Sequence, residues 1–228
     1  MKIIDCKQGE PDWLKARLGK VTASEIDALV SPTGKVRTGD GPQKYLYRKV
    51  AERLLGVPLD DFQSFAMAQG QIVETEAVPW YAFQHGVTVD RVGFCTSDCG
   101  RYGFSPDGLI GADGGLEVKS PQPAKHVQYL LEDGVPEEYA LQVQFSLFVS
   151  GRKWWKFVSY SRQMPALVVH VEPDAKLQHA IAEALNIFLM RFDEALAQVV
   201  RLKAEYENPL REAYEAKIRA WEKGGPIP

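Results

Sequence analysis

The residues best suited to chemistry in this chain lie in two short segments, residues 104–108 and 115–119. In the second segment Glu117 and Lys119 alternate with apolar residues. This period of two predicts a strand that carries both charged side chains on one face and sends the apolar ones into the core. Asp107 lies near the end of the preceding strand-like run, so a Gly-rich turn between the segments can bring it beside Glu117. The spacing therefore predicts two carboxylates and one ammonium at a common sheet edge.

Two carboxylates and an ammonium suit the hydrolysis of a phosphodiester. Asp107 and Glu117 can hold Mg²⁺, a hard cation that takes oxygen ligands, and the carbonyl of Val118 is a further candidate ligand on the same edge. The metal lowers the pKa of water and neutralises charge on the phosphate. Lys119 can orient the attacking water and stabilise the pentacovalent transition state.

The same residues also allow a purely structural interpretation. Pro106-Asp107-Gly108 is a common turn sequence, and Glu117 and Lys119 would then form a solvated ion pair on a strand. A Pro-Asp pair followed by Glu-x-Lys occurs often by chance, so these residues alone leave both interpretations open.

The remaining sequence predicts an α/β protein with a central mixed β-sheet flanked by helices. Runs of apolar residues between turn signals predict strands at residues 87–94, 102–110, 116–119, 153–160 and 166–172. Helical patterns cover residues 45–55, 65–83 and 138–149. This order of elements favours helices on both faces of the sheet.

A long C-terminal helix completes the predicted fold. From residue 174 to 206, apolar residues recur every three or four positions and form one stripe. Asn208-Pro209 predicts the end of this helix, because proline lacks the backbone N–H and clashes with the preceding turn. We expect a single domain over residues 1–228, with its core at 13–206 and a short tail helix at 207–228.

Composition and charge narrow the class of protein. With 45% hydrophobic and 25% charged residues, the 228-residue chain can form an ordinary core. No apolar run approaches the roughly 20 residues of a membrane-spanning helix, the N-terminus lacks a secretory signal, and three cysteines are too few for a disulfide framework. We therefore expect a cytoplasmic protein without membrane contact. A net charge of −3 argues against a protein that coats nucleic acid.

Five segments, in order along the chain, resemble one known family. They are Trp-Leu-Lys-Ala-Arg-Leu-Gly-Lys-Val-Thr-Ala-Ser-Glu at residues 13–25, Gly-Gln-Ile-Val-Glu at 70–74, the two segments that hold Asp107 and Glu117, and Tyr-Ala-Leu-Gln-Val-Gln-Phe at 139–145. This ordered set is similar to the phage lambda-type exonucleases, the YqaJ-like viral recombinases, within the Pro-Asp…(Asp/Glu)-x-Lys (PD-(D/E)XK) nuclease superfamily. The resemblance implies that superfamily's α/β core.

The resemblance also implies which residues bind metal. Asp107 and Glu117 would be ligands with the Val118 carbonyl, Glu74 would bring a further carboxylate from its helix, and Lys119 would be the catalytic lysine. Two Mg²⁺ ions, with Mn²⁺ as a substitute, are the expected cofactor. The alternative for Glu74 is a solvated helix residue.

Other matches place residues around this centre. Gln142 and Gln144 lie two positions apart on a helix and cannot both face the site. Of the two, Gln142 fits the family's active-site glutamine slightly better. Tyr139 lies one turn before Gln142 and is a candidate DNA contact. Met67 takes the position of an apolar residue that wedges the duplex end, although a buried core methionine is the alternative.

A second group of residues matches positions that grip a terminal 5′-phosphate. These are Arg17, Ser24 and Ser105, and a guanidinium fork with two hydroxyls complements a phosphate dianion. A surface charge for Arg17 and a helix N-cap for Ser24 are the alternatives. Lys35 and Arg37, in a Gly- and Pro-rich loop, are candidate contacts to a phosphate backbone.

The family resemblance implies a Mg²⁺-dependent, processive 5′→3′ exonuclease on double-stranded DNA, which would act in the bacterial host cytosol. It would degrade the 5′-phosphorylated strand to mononucleotides and leave a 3′ single strand for a phage single-strand annealing protein. The resemblance further implies a homotrimeric ring around DNA, which would keep a processive enzyme attached, since the chain shows no ATP-binding motif for a motor. The alternatives are a nuclease of the same core that acts on single-stranded DNA or as an endonuclease, and a catalytically silent DNA-end-binding protein.

Overall fold

The chain folds into an α/β arrangement based on two four-stranded mixed sheets. The computed structural model describes residues 1–59 and 65–223, without the side chains of residues 65–74. The helices are α1 (Pro11–Arg17), α2 (Asp40–Leu55), α3 (Phe65–His85), α4 (Pro123–Glu132), α5 (Glu137–Ser150) and α6 (Ala175–Glu222). The strands are β1 (Lys2–Ile4), β2 (Val21–Thr22), β3 (Phe94–Thr96), β4 (Tyr102–Phe104), β5 (Gly108–Ile110), β6 (Gly114–Lys119), β7 (Trp154–Ser159) and β8 (Leu167–Val171). A short 3-10 helix, Ala23–Ala28, follows β2.

The strands of the expected central sheet are divided between two sheets. The first has the order β1-β3-β4-β2, in which only β2 and β4 pair in parallel. The second has the order β5-β6-β7-β8, in which β6 and β7 are parallel and the outer pairs are antiparallel. Strand β6, which carries Glu117 and Lys119, is therefore an inner strand with a neighbour on each edge.

The division occurs where the sequence predicts one continuous strand over residues 102–110. The structure instead has β4 in the first sheet and β5 in the second, separated by Ser105, Pro106 and Asp107. Pro106 has no backbone N–H and restricts the residue before it, so a ladder cannot continue through this point. The strand predicted at 87–94 is also wrong in its bounds, since β3 begins only at its last residue, after an isolated bridge from Asp90.

Strand β6 separates an apolar face from a polar one. Leu116 and Val118 belong to a buried cluster with Ala77 and Val78 of α3, so α3 covers this face of the second sheet. Burial of an aliphatic side chain of this size is favourable by about 1.5–3 kcal/mol. Because side chains alternate along a strand, the residues between them face the opposite side.

Helix α6 does not end where its proline predicts. It spans Ala175–Glu222 with Pro209 in its interior, so the expected separate tail helix at residues 207–228 is wrong. A proline in a helix interior costs about 3 kcal/mol, yet it removes a single donor. The residues on both sides are mostly strong helix formers, and pairs such as Arg211–Glu215 add i,i+4 support.

The chain divides into two compact units, Met1–Phe188 and Leu189–Pro228. Within the second unit the described helix exposes large apolar side chains, among them Tyr206, Leu210 and Tyr214. In the described part of the chain, no helix combines the length and apolar character needed to cross a membrane. The expectation of a single domain stays a prediction.

Gly115 on β6 offers a test of how tightly the second sheet is packed. A Cβ added there would lie 2.2 Å from the ring of Trp155, which is fully buried. We expect Gly115→Ala to lower the free energy of unfolding by about 1–3 kcal/mol because of overpacking, measured by chemical denaturation. Gly41→Ala is the matched control, since its added Cβ meets nothing within 4 Å. Equal stability of the two variants would contradict the packing.

Candidate active site

The structure brings Asp107, Glu117 and Lys119 together at the end of β6. Oδ2 of Asp107 accepts a hydrogen bond of 2.5 Å from the backbone N–H of Val118. The ammonium of Lys119 lies 2.7 Å from Oε1 of Glu117. Asp107 and Glu117 are only 9% and 2% exposed. Two acidic groups are thus withdrawn from water beside one ammonium, and Glu117 is not part of a solvated surface pair.

Helix α5 adds one glutamine to this group. Gln142 donates a hydrogen bond from Nε2 to Oε1 of Glu117. Gln144 faces elsewhere, where it donates to the carbonyl of Glu172 and accepts from the backbone N–H of Asp174. We call Asp107, Glu117, Lys119 and Gln142 the acidic cluster.

Tyr139 lies one turn before Gln142, and its ring packs beneath the ammonium of Lys119. Nζ of Lys119 lies 5.0 Å from the centre of the Tyr139 ring, a distance that allows cation–π attraction. The same ring stacks on Phe157, with centroids 5.5 Å apart. Tyr139 is therefore positioned to fix the lysine.

One oxygen of the acidic cluster has no partner. Oε1 of Glu117 accepts from Lys119 and Gln142, but Oε2 is buried and accepts no hydrogen bond from any residue that the structure describes. An unsatisfied buried acceptor costs about 1–3 kcal/mol, and more when it is charged. Such an oxygen is suited to a cation.

The backbone of β6 offers a second oxygen at this place. A strand residue directs its N–H and C=O to the same neighbour, so the carbonyl of Val118 leaves the strand on the side of Asp107. The antiparallel register pairs Gly108 with Leu116, and its continuation puts Pro106 opposite Val118. Since proline has no N–H to donate, this carbonyl has no ladder partner in Pro106.

These oxygens fit a hard divalent cation. Carboxylate oxygens of Asp107 and Glu117, with the carbonyl of Val118, are the ligand types that Mg²⁺ prefers. Among the side chains that the structure describes, no group of three or more His, Cys, Asp and Glu residues is arranged to hold a metal. Glu74, the further carboxylate expected from the sequence, belongs to α3, and its side chain lies outside the described residues.

The electrostatics of the acidic cluster act on its lysine. Burial by itself lowers the pKa of Lys119, but the charges of Glu117 and Asp107 and the hydrogen bond that Lys119 donates to Glu117 outweigh burial and raise the pKa. The lysine therefore remains a cationic hydrogen-bond donor.

A second cluster gathers the residues expected to grip a phosphate. Nη2 of Arg17 lies 3.2 Å from Oγ of Ser24, and Nη1 lies 3.5 Å from Oγ of Ser105. The indole N–H of Trp13 donates to Ser105 Oγ at 2.7 Å, and the guanidinium lies 4.5 Å from the Trp13 ring centre. We call these four residues the Arg17 pocket. It joins α1, the 3-10 helix and the link between β4 and β5.

Hydrogen bonds and ion pairs centred on Glu25 lie next to the Arg17 pocket. The hydroxyl of Thr22 donates to Oε2 of Glu25 at 2.7 Å and lies 3.5 Å from the Arg17 guanidinium. Glu25 is in turn paired with Arg48 and Lys49 of α2. Burial lowers the pKa of Arg17, and the charge of Glu25 opposes this shift. The sequence alone indicates no separate role for Trp13, Thr22 or Glu25, although all three lie in the segment at 13–25.

The other candidate DNA contacts have no described hydrogen bond or ion pair with either cluster. Lys35 and Arg37 are exposed in the loop before α2, and no hydrogen bond or ion pair among the described residues links them to the acidic cluster or the Arg17 pocket. Met67 lies on α3, and its side chain is outside the described residues.

Comparison with known proteins gives a family and a set of similar structures. Residues 12–153 match the YqaJ-like viral recombinase domain. Two structures of an alkaline exonuclease from Laribacter hongkongensis, one in complex with dAMP, are 28% identical to this chain. Each covers 86% of this chain and 100% of its own, with TM-scores of 0.77 and 0.76. A phage-related exonuclease from Haemophilus somnus 129PT shares the fold at 14% identity and a TM-score of 0.60, over 79% of this chain and 96% of its own. No curated protein matches. The predicted α/β fold class is confirmed.

The raised pKa of Lys119 predicts that, in metal-free protein, this lysine keeps its proton to a higher pH than an ordinary lysine does. A lysine whose pKa rises on folding above its ordinary 10.5 stabilises the folded state fully below about pH 10.5, and this contribution is lost as the pH rises through the raised pKa. Glu117→Gln removes the larger of the two carboxylate charges that raise the pKa, so the pKa of Lys119 should be lower in this variant than in the unmodified protein. Lysine-labelled NMR in EDTA would follow this titration.

Asp113→Asn provides the matched control for this titration, because it neutralises an exposed carboxylate that pairs with Lys153 on the surface. The Lys119 resonance should titrate in this variant as in the unmodified protein. If Glu117→Gln also leaves the titration unchanged, the assigned electrostatic cause is wrong.

Proposed function

The chain belongs to the YqaJ-like viral recombinase family, and from this premise we propose that it is a Mg²⁺-dependent exonuclease of double-stranded DNA. It hydrolyses the 5′-phosphorylated strand in the 5′→3′ direction and releases mononucleotides. The observation that carries this proposal is the short link between β4 and β5, because it contributes to both clusters at once.

The link joins the Arg17 pocket to the acidic cluster through neighbouring residues. Ser105 contacts the guanidinium, and Asp107 takes part in the acidic cluster only two positions later. Two residues of fully extended chain span at most about 7 Å between their Cα atoms. A terminal phosphate in the pocket therefore has its next phosphodiester close to the acidic cluster. This closeness supports removal of one nucleotide at a time.

The donor set of the acidic cluster supports a metal-assisted reaction. Asp107, Glu117 and the Val118 carbonyl would hold Mg²⁺, with Glu74 as a further ligand from α3. When bound, Mg²⁺ supplies positive charge that favours ionisation of water and neutralises the scissile phosphate. Gln142 and Lys119 hold Oε1 of Glu117, so the unpartnered Oε2 would be the oxygen that binds the cation.

Lys119 and the pocket supply the remaining interactions with DNA. The ammonium of Lys119 donates to the phosphate oxygens, where charge increases in the transition state, and orients the attacking water. The guanidinium of Arg17 and the hydroxyls of Ser24 and Ser105 bind the terminal 5′-phosphate.

Each proposed cleavage regenerates the 5′-phosphate end that the next cleavage needs. Water adds to phosphorus, the P–O3′ bond breaks, and the shortened strand retains a new 5′-phosphate that the Arg17 pocket can bind. The L. hongkongensis enzyme was solved with dAMP, which belongs to the class of product proposed here.

We also propose that the enzyme works as a homotrimeric ring and passes its 3′ single strand to a phage single-strand annealing protein. A processive enzyme without a motor must stay attached by topology, and identical head-to-tail contacts that close by rotation form such a ring. Irreversible hydrolysis then makes movement one-way.

A linear duplex labelled at each 5′ end in turn tests the function. With Mg²⁺ and a 5′-phosphate, we expect labelled mononucleotides to appear at once from the labelled terminus and the complementary strand to persist. A 5′-hydroxyl end should react slowly, and EDTA should stop the reaction. Circular duplex should resist, because the enzyme requires an end.

Asp107→Asn separates catalysis from binding in this assay. It should lose most hydrolysis yet bind the duplex, because contacts to phosphates elsewhere hold the DNA. Asp113→Asn, the same change at an exposed surface pair, should keep full activity. Cutting of circular DNA would indicate an endonuclease, release from single strands alone would indicate a single-strand nuclease, and binding of ends without hydrolysis would leave a silent end-binding protein.

Substitution of Arg17 tests the phosphate pocket. Arg17→Ala should reduce the preference for a 5′-phosphate over a 5′-hydroxyl by roughly 10- to 100-fold, since a hydrogen bond to a charged group contributes about 1.5–3 kcal/mol. Lys15→Ala is the control, because Lys15 lies on the same helix but is exposed and pairs with Asp12. Initial rates on the two substrates give the preference. If Arg17→Ala leaves the ratio of the two rates unchanged, the terminal phosphate binds at another site.

A further inference from the structure

The hydroxyl oxygen of Ser105 accepts hydrogen bonds from two donor groups, and the hydroxyl has one proton of its own to donate. Nε1–H of Trp13 donates to its oxygen at 2.7 Å, and Nη1 of Arg17 approaches it at 3.5 Å. Indole and guanidinium groups are donors only, so neither can accept a hydrogen bond from the serine. A serine hydroxyl has two acceptor lone pairs and a single O–H. Both lone pairs of Ser105 are thus engaged, and its own proton must be donated to a third group.

No residue that the structure describes accepts that proton, which leaves the Ser105 hydroxyl as an outward donor beside the Arg17 guanidinium. A group that lies there must be an acceptor, and an anion satisfies both donors. A 5′-hydroxyl end brings a single weak acceptor, whereas a 5′-phosphate brings three strong acceptor oxygens. Because the Ser105 hydroxyl can only donate to the DNA end, it favours a 5′-phosphate over a 5′-hydroxyl.

Trp13 also fixes the second donor of the pocket. Its ring lies 4.5 Å from the Arg17 guanidinium carbon, within the range of cation–π attraction. A guanidinium stacked on an aromatic face loses less rotational freedom when it binds an anion. One side chain thus orients both the guanidinium and the serine hydroxyl.

Ser24 is oriented differently by its neighbours. Thr22 gives its only hydroxyl proton to Oε2 of Glu25, so it cannot donate to Ser24, which lies 3.4 Å away. Ser24 accepts from Arg17 at 3.2 Å, and it is the donor in its contact with Thr22, because Thr22 has no second proton to give. Ser105 is therefore the serine of the pocket whose proton no described residue accepts.

We propose that Trp13 is the positioning residue that determines selectivity for a 5′-phosphate end, because its N–H forces Ser105 to act as a donor toward the DNA terminus. This inference rests on the proposed exonuclease function and adds a specificity role for a residue outside the acidic cluster. Trp13 acts through Ser105 and Arg17.

The test measures binding and rate for two matched duplexes, one with 5′-phosphate and one with 5′-hydroxyl ends. Binding is followed by fluorescence anisotropy in EDTA, and rate by nucleotide release with Mg²⁺. Trp13→Phe keeps an aromatic face for Arg17 and removes the N–H. It should reduce the phosphate preference about tenfold in both measurements, because the hydrogen bond from Ser105 to the charged phosphate is weakened. The 5′-hydroxyl duplex should show little change.

Two further variants keep the test decisive. Replacement of Trp13 by 3-benzothienylalanine retains the ring shape and lacks only the N–H donor, so it should reproduce the loss even if Trp13→Phe folds poorly. Trp221→Phe makes the same substitution at an exposed position of α6 and should leave the preference unchanged.

A double-mutant cycle separates action through Ser105 from a general structural role. If Trp13 works by directing that hydroxyl, Trp13→Phe should have little effect on the preference in a Ser105→Ala background, since coupled residues are not additive. Additive losses would overturn the inference, as would an unaltered preference in Trp13→Phe and the benzothienyl variant. If the unmodified protein shows no phosphate preference or no nuclease activity, the proposed function itself is wrong.

Discussion

The buried carboxylate of Glu117 is the interaction on which the candidate site depends. Moving such a charge out of water costs several kcal/mol unless it is paired and hydrogen-bonded. Lys119 and Gln142 satisfy one of its oxygens, and both are held by regular elements, an inner strand and a long helix. The remaining oxygen is left for a cation. A site based on an inner strand is more rigid than one formed by loops.

The second constraint is the interrupted strand at Pro106. Because proline cannot continue a ladder, the chain leaves one sheet and enters another at this residue. Its two neighbours then serve different clusters: Ser105 faces the Arg17 pocket and Asp107 takes part in the acidic cluster. A single backbone feature thus couples the proposed recognition of a terminal phosphate to the proposed hydrolysis of the next one.

Hydrogen-bond direction distinguishes the two clusters. In the acidic cluster the acceptors are in excess, since two carboxylates share one ammonium, and this arrangement suits a cation. In the Arg17 pocket the donors are in excess, because Trp13 and Arg17 occupy the lone pairs of Ser105. The carboxylate of Glu25 lies behind that pocket and is paired with Arg48 and Lys49, which keeps its charge from repelling an incoming phosphate.

The sequence by itself determined the fold class and the face of β6 that carries Glu117 and Lys119, because strand periodicity is a local property. Its ordered motifs also indicated the family. Only the three-dimensional structure decided that residues 102–110 divide between two sheets, since strand pairing overrides local signals. It also decided that α6 continues through Pro209, where strong helix formers and i,i+4 pairs offset the proline. The bond from Trp13 to Ser105 joins residues 92 positions apart. No local pattern encodes such a contact, because it exists only once distant segments have folded together.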